Sequence, residues 1–437
     1  MNLNIKKCSN RYLLDKNTYE MVINLIEKYL DKLDNNIEEY SEGNGKVGVL
    51  LLIGELYPLF NDKDKWADIC YDMMVKIRED ISNGKIKNYS ICDGLSNIAL
   101  ATLIVKESTN YFGKFLDNLD DMILDGVDWL IDEYTKDIIE LKVFQYDAIL
   151  GLSGISAYLL SIKSDKSIAI LKKINNYLIK LTDYYSVDGV QVPGWYIKRD
   201  NQLTKEYISD FPEGSINYSL SHGIAGCLTI LSLSKINGIE IDGQQKAIER
   251  ILEEYKKVEY INENKIVYWP GMLSFESYKN KDYYSLNDRM SWCYGSIGIL
   301  RSMYFAALAL DNEILKDNIE NMVINIAKLD INLYKLEAPI ICHGYAGTSS
   351  VLRVFYDDIK DDNIRNRCIE LINKINNAFN EEYKFGFKDV FYNIEYDNLV
   401  RVEKDKNDFL EGSAGIILEL IAFIKDNTTF EKLLLIK

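Results

Sequence analysis

Apolar segments alternate along the chain with segments whose apolar residues recur at three-and-four spacing. Val49–Leu59 and Ile299–Leu310 are of the first kind; Ser167–Asp183, Gln244–Lys257 and Asn363–Phe379 are of the second. Three-and-four spacing marks a helix with one apolar face, and a helix that is apolar all round is buried. The alternation therefore predicts an all-α chain with an inner and an outer layer of helices. Each inner segment opens on Gly-x-x-Gly, at 45–48, 151–154, 223–226, 295–298, 344–347 and 412–415, with a degenerate copy at Gly94-Leu95-Ser96-Asn97. The first glycines stand 49 to 72 residues apart, which leaves room for two helices per interval. Seven such hairpins form an open solenoid or close into a ring, and closure is the expectation. Glycines at helix entry allow unusual backbone angles and close backbone approach.

Three intervals hold stretches that break the helical pattern, at 186–214, 258–287 and 385–404. Asp188-Gly189, Pro193-Gly194 and Pro270-Gly271 punctuate the first two, and the third alternates aromatic and polar residues. These read as β-rich insertions over the rim of the ring. No linker or low-complexity segment divides residues 1–437, so one domain with insertions is expected.

The 47% hydrophobic and 27% charged content fits a globular protein, and the net charge of −16 argues against a nucleic-acid-binding surface. Met1–Leu14 has no secretory pattern, and the most apolar runs are too short to span a bilayer. A cytoplasmic protein, at most peripheral to a membrane, is expected. Seven cysteines is an odd count that suits reduced thiols better than a disulfide framework.

The candidate chemistry lies on the repeat. Both histidines of the chain sit immediately before a first glycine, in Ser221-His222-Gly223 and Cys342-His343-Gly344. Cys293 and Cys342 share a register, two residues before their first glycine, in consecutive repeats. Neighbouring helices lie about 8–10 Å apart, so both thiols and His343 could reach one zinc ion. Cys92 has the same register but belongs to the second repeat, and it is expected not to be a ligand. Cys8, Cys70, Cys227 and Cys368 fit surface or core roles. His222, one repeat before Cys293, is the candidate general acid/base. Tyr294 either donates a hydrogen bond to developing charge or simply packs. Arg289 either stabilises an anion or pairs with a structural carboxylate. Asp147 either orients His222 or pairs with Arg289. The positions before the first glycines (Asn44, Asp93, Leu150, His222, Tyr294, His343 and Glu411) are expected to face a common mouth.

Ser-His-Gly-Ile-Ala-Gly at 221–226, Trp-Cys-Tyr-Gly at 292–295 and Cys-His-Gly-Tyr-Ala-Gly at 342–347, set among seven Gly-x-x-Gly units, resemble the lanthionine synthetase C-like family. The resemblance implies an α/α toroid with a smaller extension drawn from the β-rich inserts. It puts zinc on Cys293, Cys342 and His343, acid/base chemistry on His222, and the other site roles on Asp147, Arg289 and Tyr294. Only Asn97 departs from the pattern. The implied reaction is addition of cysteine thiols to dehydroalanine or dehydrobutyrine in a dehydrated precursor peptide, which closes thioether rings. The implied partners are that peptide, leader plus core, with a separate dehydratase and an exporter.

Three other readings bear on the same residues. A prenyltransferase-type enzyme also joins a toroid to a thiol-activating zinc, but with an Asp-Cys-His ligand set. A zinc-bearing scaffold would hold thiol peptides without turnover. A glycosidase would need two carboxylates at the mouth, with Asp93, Asp147 and Glu411 available.

Overall fold

The seven Gly-led segments are helices in the computed structural model, which describes residues 2–10, 14–284, 289–395 and 398–437. In chain order they are α1 (Gly45–Leu56), α2 (Leu95–Thr109), α3 (Leu152–Ile162), α4 (Ile224–Ile236), α5 (Ser296–Ala309), α6 (Tyr345–Ile359) and α7 (Ser413–Ile421). They are buried almost all round; α4, for instance, buries every residue from Ile224 to Ser232. Six are followed by an amphipathic helix. In Gln244–Val258 the buried positions are Gln244, Ala247, Ile248, Ile251, Glu254, Tyr255 and Val258, one helical stripe. The two layers also begin differently. Several outer helices start on side-chain caps, where Ser164 accepts from the Ser167 amide (3.1 Å), Asn312 from Leu315 (3.0 Å) and Asp361 from Asn363 (2.8 Å), though Gln244–Val258 has Gly243 at its N-cap. From α2 onward each inner helix has its first glycine at the N-cap, with no side-chain cap.

The missing caps are replaced by main chain. The loop before α6 folds back over its first turn, so Tyr345 donates to Ala338 (2.9 Å) and Ala346 to Pro339 (3.2 Å). Before α7, Ser413 donates to Lys406 (3.0 Å). These bonds satisfy amides that a helix N-terminus leaves unpaired. They also decide why glycine is required. The N-cap glycines of α2–α7 have ordinary extended backbone, with negative φ, so the unusual angles expected from the sequence are not the reason. Close approach is. A Cβ at Gly295 would run into the main chain of Ser291 and Arg289, and one at Gly347 or Gly415 into the carbonyl of Ile341 or Phe409.

Packing divides the chain into two units. One comprises Met1–Asn88, Asp93–Asn118 and Leu336–Glu431; the other comprises Tyr89–Cys92, Leu119–Lys335 and Lys432–Lys437. In the first, the inner helices pack in the order α2, α1, α7, α6. Repeats one and seven are therefore neighbours, with Gly48 of α1 against Ala414 of α7. Among the described residues no amphipathic helix follows α7. Its outer partner is the N-terminal helix Lys16–Asn35, which packs on α7 and on the outer helix Asp362–Ala378. The seventh hairpin is thus assembled from both ends of the chain. Buried Arg353 ties α6 to α7 through Glu419 (2.9 Å) and also pairs with Glu431 (3.0 Å).

The second unit packs α3, α4 and α5 in sequence order. The carbonyl of Leu434 accepts the Trp292 indole N–H (2.9 Å), and that of Ile436 accepts from the Arg301 guanidinium (2.7 Å). The first insertion, 186–214, forms an antiparallel hairpin of Tyr184–Val187 with Val190–Pro193. Its Asp188-Gly189 turn has positive φ at both residues (47° and 79°), which suits a two-residue hairpin loop. The insertion is not purely β, because Thr204 caps a short helix, Lys205–Asp210. Strands Tyr196–Ile197, Ser215–Asn217 and Met272–Ser274 make one antiparallel sheet, which joins the first insertion to the second. Of that second insertion (258–287), residues 285–287 lie outside the described residues. In the first unit, the third insertion (385–404) is a hairpin of Asp389–Glu395 with Asn398–Lys404; its residues 396–397 lie outside the described ones. Among the described residues no helix is long and apolar enough to cross a membrane.

The fold-back predicts unequal glycine substitutions. Gly347→Ala is expected to cost about 3 kcal/mol or more, since backbone must move. Gly226→Ala places its Cβ 3.1 Å from the Ala148 Cβ and 3.2 Å from the Leu220 carbonyl, a crowding that a shift of a few tenths of an ångström relieves, and is expected to stay within about 1 kcal/mol. Urea unfolding of the two variants checks the difference.

Candidate functional site

Main-chain bonds between successive pre-helix loops assemble the site in the second unit. The Ala148 amide donates to Ser221 (3.0 Å), and the Leu220 and Ser221 amides donate to Cys293 (3.0 and 3.3 Å). The residues before α3, α4 and α5 are thereby held side by side, which brings Asp147, His222, Cys293 and Tyr294 together.

Asp147 is fully buried and divides its two oxygens. Oδ1 accepts the amides of Leu150 (2.8 Å) and Gly151 (2.6 Å), just ahead of α3; Oδ2 meets His222 Nδ1 at 2.5 Å. Of the two roles considered for Asp147, the structure places it on His222. An ionised carboxylate only accepts, so the contact puts a proton on Nδ1 and turns Nε2 toward chemistry. The His222 main chain is pinned as well: its amide donates to Ser219 Oγ (3.2 Å), and its carbonyl accepts from the Tyr146 hydroxyl (3.2 Å).

Tyr294 lies against His222, with ring centroids 6.3 Å apart. Its hydroxyl accepts from the Asn217 amide (3.4 Å) and hydrogen-bonds Tyr207 of the short helix Lys205–Asp210. Burial, reinforced by Tyr207, holds the phenol pKa well above its ordinary 10. Arg289 passes beneath the first turn of α5, and its Nε is buried without a hydrogen-bond partner.

Cys342 and His343 stand in the first unit, ahead of α6, where the Cys342 amide donates to Leu410 (2.9 Å). His343 Nε2 lies 3.2 Å from Asp389 Oδ1 of the third insertion. The carboxylates a glycosidase would use are engaged elsewhere: Asp147 with His222, Glu411 with Lys406, and Asp93 with the Asn88 side-chain amide (3.3 Å).

The comparisons with known proteins follow the same motifs. Residues 36–435 match the family described as lanthionine synthetase C-like protein. The chain belongs to this family. It is 28% identical over 419 residues to the nisin biosynthesis protein NisC of Lactococcus lactis subsp. lactis, across 93% of this chain and 92% of that one. It superposes on a solved nisin cyclase with a TM-score of 0.77 at 24% identity, covering 97% of this chain and 98% of the other. The α/α toroid class implied by the resemblance is the fold that this match carries.

Whether a lanthionine synthetase C-like chain with these residues suits zinc turns on its donors. All seven cysteines are free. Burial pushes the Cys70 and Cys227 thiols up to about 12 and raises Cys368 further, which fits inert core thiols. Cys293, Cys342 and His343 are a zinc donor set by type. His343 also has a carboxylate at one ring nitrogen, the usual company of a metal-bound imidazole. Among the described residues no three His, Cys, Asp or Glu side chains stand grouped to hold a metal ion, so the fit to zinc rests on donor type alone. Sequence reasoning missed Tyr207 and Asp389, which sit in insertions, and Asn217, on the strand that follows the first insertion; none carries a motif or spacing.

The buried pair makes a prediction. Long-range ¹H–¹⁵N NMR should find neutral His222 as the Nδ1–H tautomer, and Asp147→Ala should abolish that preference. The variant also strands two amides, so it should lose about 1–3 kcal/mol in denaturant unfolding.

Proposed function

We propose that the chain is a zinc-dependent lanthipeptide cyclase. It adds cysteine thiols of a dehydrated precursor peptide to dehydroalanine or dehydrobutyrine and closes (methyl)lanthionine rings. The observation that carries this reading is the His222–Asp147 pair beside Tyr294 in a chain of the lanthionine synthetase C-like family.

Cys293, Cys342 and His343 are the residues that would hold the zinc. Bound there, the ion supplies the acidity that turns a substrate thiol, ordinarily of pKa about 8.5, into a thiolate near neutral pH. In the addition a bond forms from sulfur to Cβ, and the alkene π pair moves toward the carbonyl as an enolate. The thiol gives up one proton and Cα takes one, so nothing leaves. His222 is the donor to Cα: Asp147 holds its Nδ1–H, and Nε2 is the atom that carries the proton. Tyr294 offers its O–H to the enolate oxygen. The unpartnered Arg289 Nε serves the same negative charge. Asp147 orients and does not itself transfer the proton.

The substrate is the precursor's leader plus core, delivered by a separate dehydratase and passed to an exporter. The protein works in the cytoplasm, at the membrane only through those partners.

The test uses dehydrated precursor peptide, with ring closure followed by loss of free thiol. His222→Ala is expected to lower kcat by about 10²–10⁴-fold, and Cys293→Ala to lose both activity and bound zinc. Wild-type rates in both variants would overturn the scheme, and peptide binding with no ring closure by the native protein would favour a non-catalytic scaffold. Transfer from a labelled prenyl diphosphate to a peptide thiol would favour the prenyltransferase-type enzyme.

A pH prediction follows from Tyr294. Because burial raises its pKa, the folded enzyme keeps the neutral, donating phenol through and beyond the ordinary tyrosine value. Tyr294→Phe should therefore lower kcat while leaving both limbs of the pH profile, between about pH 6 and 9, in place.

A further inference from the structure

We propose that Asp389 is the positioning residue of His343: it accepts a hydrogen bond from Nε2–H, fixes the ring, and leaves Nδ1 for the metal. The inference rests on the zinc reading above and deepens it.

His343 Nε2 and Asp389 Oδ1 are both buried, both lack a hydrogen-bond partner, and stand 3.2 Å apart. Asp389 itself is only 3% exposed. A carboxylate oxygen taken from water without a donor is costly, and the imidazole is the donor within reach. The cations near the hairpin are engaged elsewhere. Lys406, on which the charge of Asp389 acts, pairs with Glu411. Lys388 pairs with Glu403 at 3.3 Å, and Lys404 lies over the Phe391 ring.

Both partners sit on braced backbone. His343 directly precedes the glycine that begins α6, under the folded-back 338–340 main chain. Asp389 is the first residue of its strand and pairs with Lys404 in register. An imidazole that donates from Nε2 has its lone pair on Nδ1, the state a metal ligand needs. The orienting carboxylate thus comes from the third insertion, outside the helical repeat.

The experiment measures zinc content and zinc affinity, by chelator competition, on the full chain and its Asp389→Asn and Asp389→Ala variants. Cobalt substitution reports the coordination. The expected result is unchanged zinc stoichiometry, affinity weaker by about 10–100-fold, and a cobalt spectrum of unchanged coordination number. Asp389→Glu should restore part of the affinity. Melting of the metal-free proteins separates this from a fold defect, with the isosteric Asn variant deciding should the Ala variant not fold. Wild-type affinity in the Asn and Ala variants overturns the positioning role. A cobalt spectrum showing a lost ligand makes Asp389 a ligand instead and also overturns it. A native chain that takes up no zinc sinks the metal reading first, and this inference with it.

Discussion

Main chain laid directly on the first turn of each inner helix is the constraint from which this structure follows. The fold-back gives helix amides their acceptors without a side-chain cap, and it leaves no volume for a Cβ at the glycines beneath it. It also fixes the residue just before each first glycine, because that residue is clamped between the loop and the helix. His222, Tyr294 and His343 all occupy that position. Their placement comes from packing that every repeat needs for its own stability. A polar side chain there is held by backbone on both sides, which is what a reactive group requires.

The two histidines differ in how their carboxylates are held. Asp147 is committed through Oδ1 to two amides before it meets His222, so its second oxygen is aimed by the backbone of the neighbouring repeat. Asp389 reaches His343 from a hairpin that is not part of the repeat. The first arrangement suits a group that must release a proton repeatedly in one direction. The second suits a group that must keep one nitrogen turned toward a ligand.

Much of this was legible in the sequence because the repeat is enforced locally. Inner helices are apolar all round, outer helices carry one stripe, and most of the glycines lie too close to main chain for a Cβ, so seven units could be counted from the chain alone. The Asp188-Gly189 turn and the two histidine motifs were legible for the same reason. Contacts between distant segments left no such mark. Nothing local in Asp389, Asn217 or Tyr207 points to His343 or Tyr294, and the helix at Lys205–Asp210 was hidden in a stretch punctuated for strands. The tail's carbonyls on Trp292 and Arg301 are likewise invisible before folding. The glycines were read for unusual torsions as well as for closeness, and only closeness applies.

Because the outer helix of the seventh pair, Lys16–Asn35, precedes all seven inner helices while its partner Ser413–Ile421 follows them, the first unit cannot be completed until the whole stretch between the two has been made. The segment 119–335 is contiguous and can consolidate as it leaves the ribosome. The apolar stripe of Lys16–Asn35, with Val22, Ile26, Leu30 and Leu33, waits for nearly four hundred residues to be added before it is covered. Such a long-range closure is slow and leaves a sticky surface uncovered in the nascent protein. The vulnerable moment in this molecule's life is therefore the interval between translation of Lys16–Asn35 and arrival of Ser413–Ile421.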